Sequence, residues 1–169
     1  MFKRFALLLL ALSLSLLTAC TEPMTFSHAE LYITLTDDFE ETESEGYDLS
    51  LSSGDVSFGL IRISRVAAEE SGISDTMSPS ELAEFTLGEK GKTGACEIYS
   101  YSDIPYFTLY EQVGGREYYT LYTFYRSVYA YFIITFAVPR DKEAEYRETL
   151  LEYADTVRFE SLASDYDAQ

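Results

Sequence analysis

Tyr131-Phe132-Ile133-Ile134-Thr135-Phe136 is the stretch on which the fold turns. Successive side chains of a strand point to opposite faces of its sheet. Here apolar residues occupy both odd and even positions, so both faces of the sheet must be covered. The strand reads from Tyr129 to Val138, and Pro139 stops it. Upstream lie three more β-rich runs, Cys96 to Tyr101, Tyr106 to Val113 and Arg116 to Arg126. Gly114-Gly115 between two of them is a good hairpin turn, and Ser127-Val128 is a weaker one. Downstream, Arg140 to about Asp155 reads as a helix, with Tyr146, Leu150, Tyr153 and Val157 on one apolar stripe. Glu143 and Arg147 form an i, i+4 pair on its wet side. Val157-Phe159 adds a last short strand.

Nearer the N-terminus, Leu31 to Thr36 alternates with a period of two. Tyr47 to Leu51 reads as a second strand, and a Ser53-Gly54-Asp55 turn leads into a long one from Val56 to Val66. Ser78-Pro79-Ser80-Glu81 then fits a capping box, with Ser78 as N-cap, Pro79 at the first helical position and Glu81 at the third. Leu82, Phe85 and Thr86 continue that helix, which Gly88 or Gly91 ends. Hairpin-linked strands make the sheet mainly antiparallel, and the doubly apolar strand needs a helix on each face. The expectation is an α+β fold, an α/β/α sandwich with one mainly antiparallel sheet of about six to eight strands.

This layout resembles the PsbP-like family, named for a lumenal subunit of photosystem II, over residues 30–160. The likeness rests on the opening strand, the Ser-Pro-Ser-Glu helix start, the Gly115-to-Val138 hairpin and the closing Tyr146-Leu150-Tyr153 helix. It implies a binding or assembly factor rather than a catalyst. It carries no chemical motif, so no functional residue comes with it.

The first twenty residues give an address. Lys3 and Arg4 precede an uncharged apolar run from Phe5 to Leu17, shorter than the roughly 20 residues of a membrane-spanning helix. The run ends in Leu17-Thr18-Ala19-Cys20, which resembles the lipobox of bacterial lipoproteins. That resemblance implies lipidation of Cys20, cleavage of a signal peptide 1–19, and an extracytoplasmic protein anchored to an envelope membrane. Residues 20–29 then read as the lipidated Cys and a tether of roughly 15–18 Å, and 161–169 as a polar tail.

The chain has 169 residues, enough for one domain, with 12 Lys+Arg against 29 Asp+Glu and a net charge of −17. Losing Lys3 and Arg4 with the signal leaves ten basic residues against 29 acidic ones, a net −19. Such a surface cannot neutralise a run of phosphates, which excludes nucleic acid as a partner. Two cysteines exclude a disulfide scaffold, and one histidine, His28, excludes a His-rich metal site. With Cys20 lipidated, Cys96 reads as a small, buried strand residue.

Chemistry is sparse. Gly88-Glu89-Lys90-Gly91-Lys92-Thr93 ends like a phosphate loop, but Thr86 stands where the first glycine belongs. No nucleophile elbow, zincin motif or asparagine occurs, and a serine triad would have to recruit His28 from the tether. Hydrolase activity therefore ranks last, and no cofactor is expected. Seven carboxylates crowd Asp37 to Asp48. They read first as a solvated loop, with Asp37, Asp38, Glu40 and Glu41 a weak Ca²⁺ candidate. Ten of the fifteen tyrosines lie between Tyr99 and Tyr131. Sheet packing is their first reading, with Tyr118 and Tyr122 on one face and Tyr119 and Tyr125 on the other. The second reading is a partner or ligand surface built from Tyr118, Tyr119, Tyr122, Tyr125 and Tyr129. The function expected is a non-enzymatic binding or assembly module for an envelope partner, or alternatively a small-ligand or Ca²⁺-binding module.

Overall fold

Ala130–Pro139 is the central strand of a seven-stranded sheet, with every pairing antiparallel. The computed structural model describes residues 21–160, so the signal segment, Cys20 and the tail lie outside the described residues. In chain order the strands are β1 (Pro23–His28), β2 (Leu31–Thr36), β3 (Glu40–Glu41), β4 (Leu49–Ser53) and β5 (Val56–Ser64). Two helices follow, α1 (Arg65–Glu70) and α2 (Pro79–Glu89). Then come β6 (Tyr99–Tyr101), β7 (Ile104–Val113), β8 (Arg116–Arg126), β9 (Ala130–Pro139), α3 (Glu143–Asp155) and β10 (Arg158–Phe159). The large sheet runs β3-β4-β5-β9-β8-β7-β6.

Both faces of β9 are covered, as its composition requires. Phe132, Ile134, Phe136 and Val138 pack with Leu31, Ile33 and Leu35 of β2 and with Leu150 and Ala154 of α3. Tyr131 and Ile133 face the other way, under Ala68 of α1 and Leu82, Ala83 and Leu87 of α2. Gly114 and Gly115 take φ of 59° and 83°, the left-handed pair that a tight β7–β8 hairpin needs. Ser78 and Glu81 form the capping box at α2: the Ser78 hydroxyl accepts from Glu81 N–H at 3.2 Å, and the Glu81 carboxylate accepts from Ser78 N–H at 2.7 Å. Gly91, at φ 64°, follows the helix end.

Four readings need correction. The tether is a strand: β1 pairs with β2 from Pro23 opposite Thr36 to His28 opposite Leu31. Ala29 turns the chain at φ 51°, a left-handed conformation that an alanine gives no sign of. Consequently there are two sheets, not one, because β2 pairs with β1 and β10 in a separate three-stranded sheet. The strand begun at Val56 stops at Ser64, whose hydroxyl accepts from Ala67 N–H and caps α1. Cys96 lies half-buried in the loop before β6, its thiol 3.4 Å from the Thr108 carbonyl, not within a strand.

Candidate functional site

The face of the large sheet beneath α1 and α2 is covered along only part of its length. Ladder register aligns Ser50, Gly59, Thr135 and Tyr122 across β4, β5, β9 and β8. The next row aligns Ser52, Ser57, Ala137 and Thr120. Apart from Tyr122, which turns into the second core, these side chains are small, and a cleft of about 360 Å³ opens above them. Tyr47 and Thr42 stand on one side of it, Tyr118 and Glu111 on the other.

Tyr47 is not part of a strand. It precedes β4, and its ring lies over Gly59. A methyl on Gly59 would sit 2.5 Å from the Tyr47 Cδ1 and 2.9 Å from the Thr135 Oγ1, so only glycine admits the ring here. Asp48 secures the loop that carries Tyr47. Its N–H donates to the Leu60 carbonyl at 2.8 Å, and its carboxylate accepts from Arg62 N–H at 2.6 Å.

On the far wall Glu111 accepts the Tyr122 hydroxyl at 2.7 Å and the Lys90 ammonium at 3.2 Å. Burial pushes the Glu111 carboxyl up, but the Tyr122 hydroxyl and Lys90 outweigh it and hold the group below its ordinary range. Burial, and then the bond to Glu111, push the Tyr122 phenol far up, so it remains a donor. No lysine or arginine lines the cleft. Glu41, at the end of β3, and Glu43, Glu45 and Asp48, in the loop that follows, are exposed beside it. Within the cleft the Ser50 hydroxyl is buried, the residue 7% exposed, and makes no hydrogen bond among the described residues.

The five tyrosines read as a surface do not form one. Tyr119 and Tyr125 point into the opposite core, where the Tyr125 hydroxyl donates to the Ala154 carbonyl at 2.9 Å. Tyr122 is buried in the second core against Phe107, their ring centroids 4.9 Å apart. Tyr129 is exposed at the β8–β9 turn, and only Tyr118 lines the cleft. The period of two divides them, as their sequence alternation requires, and packing buries Tyr119 and Tyr125 on one face and Tyr122 on the other.

The acidic candidates are likewise dispersed into local bonds. Asp37 accepts from Glu22 N–H at 3.1 Å, Asp38 accepts from the Ser53 hydroxyl, and Glu40 and Glu41 form β3. Among the described residues no group of three His, Cys, Asp or Glu converges to hold a metal ion. His28 lies on β1, in the other sheet. What sequence reasoning missed is the floor of the cleft. Its signal was small residues at alternate positions, Ser50 and Ser52, Ser57 and Gly59, Thr135 and Ala137.

No family model matches this sequence, and no curated protein does. Solved structures do match. A protein from Bacteroides thetaiotaomicron superposes with a TM-score of 0.58 at 12% identity, over 86% of this chain and 51% of its own. This chain therefore spans about half of that protein's length. The PsbP protein of the cyanobacterium Synechocystis sp. PCC 6803, CyanoP, superposes with a TM-score of 0.53 at 10% identity, over 85% of this chain and 95% of its own. The fold is PsbP-like. LpqN, described as involved in cell envelope biogenesis of Mycobacterium tuberculosis, has a TM-score of 0.49 at 10% identity, covering 84% of this chain and 92% of its own. Among the described residues the domain thus combines two sheets and three α-helices with a cleft that Tyr47, Gly59 and Tyr118 shape.

Proposed function

We propose that this PsbP-like domain is a lipid-anchored, extracytoplasmic binding module of a bacterial envelope, and that the cleft between Tyr47 and Tyr118 is its binding site. The observation that carries the reading is the cleft itself, a floor of hydroxyls with no acid–base partner at hand. Its carboxylate, Glu111, is already held by Tyr122 and Lys90, and His28 and Cys96 lie elsewhere. That arrangement supports binding without chemistry.

The address supports a ligand or partner close to a membrane. Lys3-Arg4, the apolar run and Cys20 stand in lipoprotein order. Because β1 begins at Pro23, only Thr21 and Glu22 separate it from Cys20, a reach of about 7 Å when extended. Glu22 exchanges hydrogen bonds with Asp37, and the next residue, Asp38, is bonded to Ser53 at the β4–β5 hairpin. Glu22, near the start of the described residues, and the Ser52–Ser57 row of the cleft thus belong to one end of the domain.

In-cell crosslinking of the full-length protein, beside its Cys20→Ser form, tests this. Membrane fractionation should show the wild type retained and Cys20→Ser released. Crosslinkers placed at Thr42 and Val113, on opposite sides of the cleft, should yield a discrete product that Cys20→Ser loses. Release of neither form, or products that are the same with and without the anchor, would sink the proposal.

A further inference from the structure

We infer that the cleft over Ser57 and Gly59 binds a short neutral saccharide. The inference rests on the binding-module reading and names the ligand class of that site.

Its polar groups are the first argument. Ser52, Ser57, Thr120 and Thr135 present hydroxyls along the floor. A hydroxyl both donates and accepts, so a row of them complements a ligand whose own groups do the same. Thr135 donates to the Gly59 carbonyl at 3.3 Å, which leaves its lone pairs to accept. The walls are the second argument. Tyr47 and Tyr118 each combine an apolar ring with a polar tip, suited to a pyranose that has C–H faces and a hydroxyl rim.

Charge narrows the choice. The two cations nearest the cleft are already paired, Lys90 with Glu111 and Arg116, over the Tyr118 ring, with Asp141, and Glu41, Glu43, Glu45 and Asp48 are exposed beside it, so the local charge disfavours a phosphate or carboxylate ligand. A cation finds Glu111 already paired with Lys90. A neutral, hydroxyl-rich molecule meets neither obstacle. The volume, about 360 Å³, falls in the range of small-molecule sites.

The Ser50 hydroxyl supplies an independent sign. Buried polar groups are almost always paired, and an unpaired one in a native structure calls for an explanation. Ser50 is the register partner of Gly59, on which Tyr47 rests, and it lines the same cleft. Tyr47 itself is partly exposed at the mouth of the cleft. A saccharide hydroxyl that reaches in beside the ring gives the Ser50 hydroxyl the partner it lacks.

The test uses the full chain, solubilised in a detergent without a sugar headgroup and carrying ¹³C-labelled tyrosine. Maltotriose, cellotriose and N-acetylchitotriose are titrated to millimolar concentration, with inorganic phosphate as the anionic arm. At least one saccharide should shift the Tyr47 and Tyr118 ring signals saturably, and phosphate should not. Ser57→Leu, which fills the floor from an exposed position, should weaken binding by about tenfold or more, as should Ser50→Ala without a fall in melting temperature. If Ser57→Leu disturbs the fold by circular dichroism, the smaller Ser52→Ala/Ser57→Ala pair replaces it with the same expectation. Silence at both tyrosines with all three sugars, equal affinity in the floor variants, or stronger binding of phosphate overturns the inference. Anchor-dependent crosslinking with no saccharide response would reject the ligand class and leave the module reading standing.

Discussion

The ring of Tyr47 rests on Gly59 so closely that a Cβ in the glycine's place would meet it at 2.5 Å. The loop before β4 and the middle of β5 are thereby locked together, and the position of Tyr47 sets one wall of the cleft. Gly59 is buried, with neither a turn nor a positive φ to account for it. The reason for the glycine is the ring.

Gly59→Ala should therefore destabilise the domain by about 1–3 kcal/mol, the usual cost of overpacking. In a Tyr47→Ala background the same change should cost at least about 1 kcal/mol less. Urea unfolding of the four proteins gives the coupling, and strict additivity would show that the two residues do not meet.

Ser50→Ala should stabilise the free protein. The buried hydroxyl has no partner, and removing it relieves a desolvation penalty of about 1–3 kcal/mol, less the small loss of packing. An increase in the urea midpoint with an unchanged slope is the expected result. A decrease would mean that the hydroxyl is satisfied in solution.

Glu30 ties three elements together. It is 1% exposed and accepts from Arg62 Nε at 3.1 Å and from the Ser127 hydroxyl at 2.8 Å. Burial raises its pKa, but bonds from Ser127, its own backbone N–H and Arg62 prevail and hold it below its ordinary 4.5. A depressed carboxylate contributes stability that is present above about pH 4.5 and is lost as pH falls through the folded-state pKa. Wild-type stability should fall in that acid range, and Glu30→Gln should flatten part of the slope. Arg62→Met should cost about 3 kcal/mol at neutral pH by leaving the carboxylate buried and unpaired. Thermal melts across pH check both, and parallel curves for wild type and Glu30→Gln would refute the assignment.

Ser78→Ala removes one half of the capping box at α2 and should cost about 1 kcal/mol. Its melting temperature should drop by roughly 2–4 °C for a domain of this size. A variant indistinguishable from wild type would show that packing of Leu82 and Leu87, not the cap, holds the helix start.

Much of the architecture was legible because it depends on local periodicity. Arg116–Arg126, the Gly114-Gly115 turn, the Ser78 cap and the helix after Pro139 all announce themselves within a few residues. The elements that escaped lack such signals. β1 has an uneven pattern of exposure and turns on an alanine in a left-handed conformation, and α1 is six residues long. The candidate site escaped almost completely. Tyr118 stood out as a tyrosine in a tyrosine-rich run, whereas Ser57, Gly59 and Thr135 are unremarkable until register places them side by side.

By itself the sequence determined an acidic chain, two layers of covering over one doubly apolar strand, and a tyrosine set divided between two faces. Charge, composition and side-chain alternation are properties of neighbours in the chain, so they can be read there. Tertiary structure alone decided that β2 would leave the main sheet for a smaller one, that Tyr119, Tyr122, Tyr125 and Tyr131 would be buried, and that small side chains from four strands would form one floor. Those outcomes depend on strand order and on register between residues as far apart as Ser52 and Thr120. Register is fixed by packing across the sheet, which no local stretch of sequence contains.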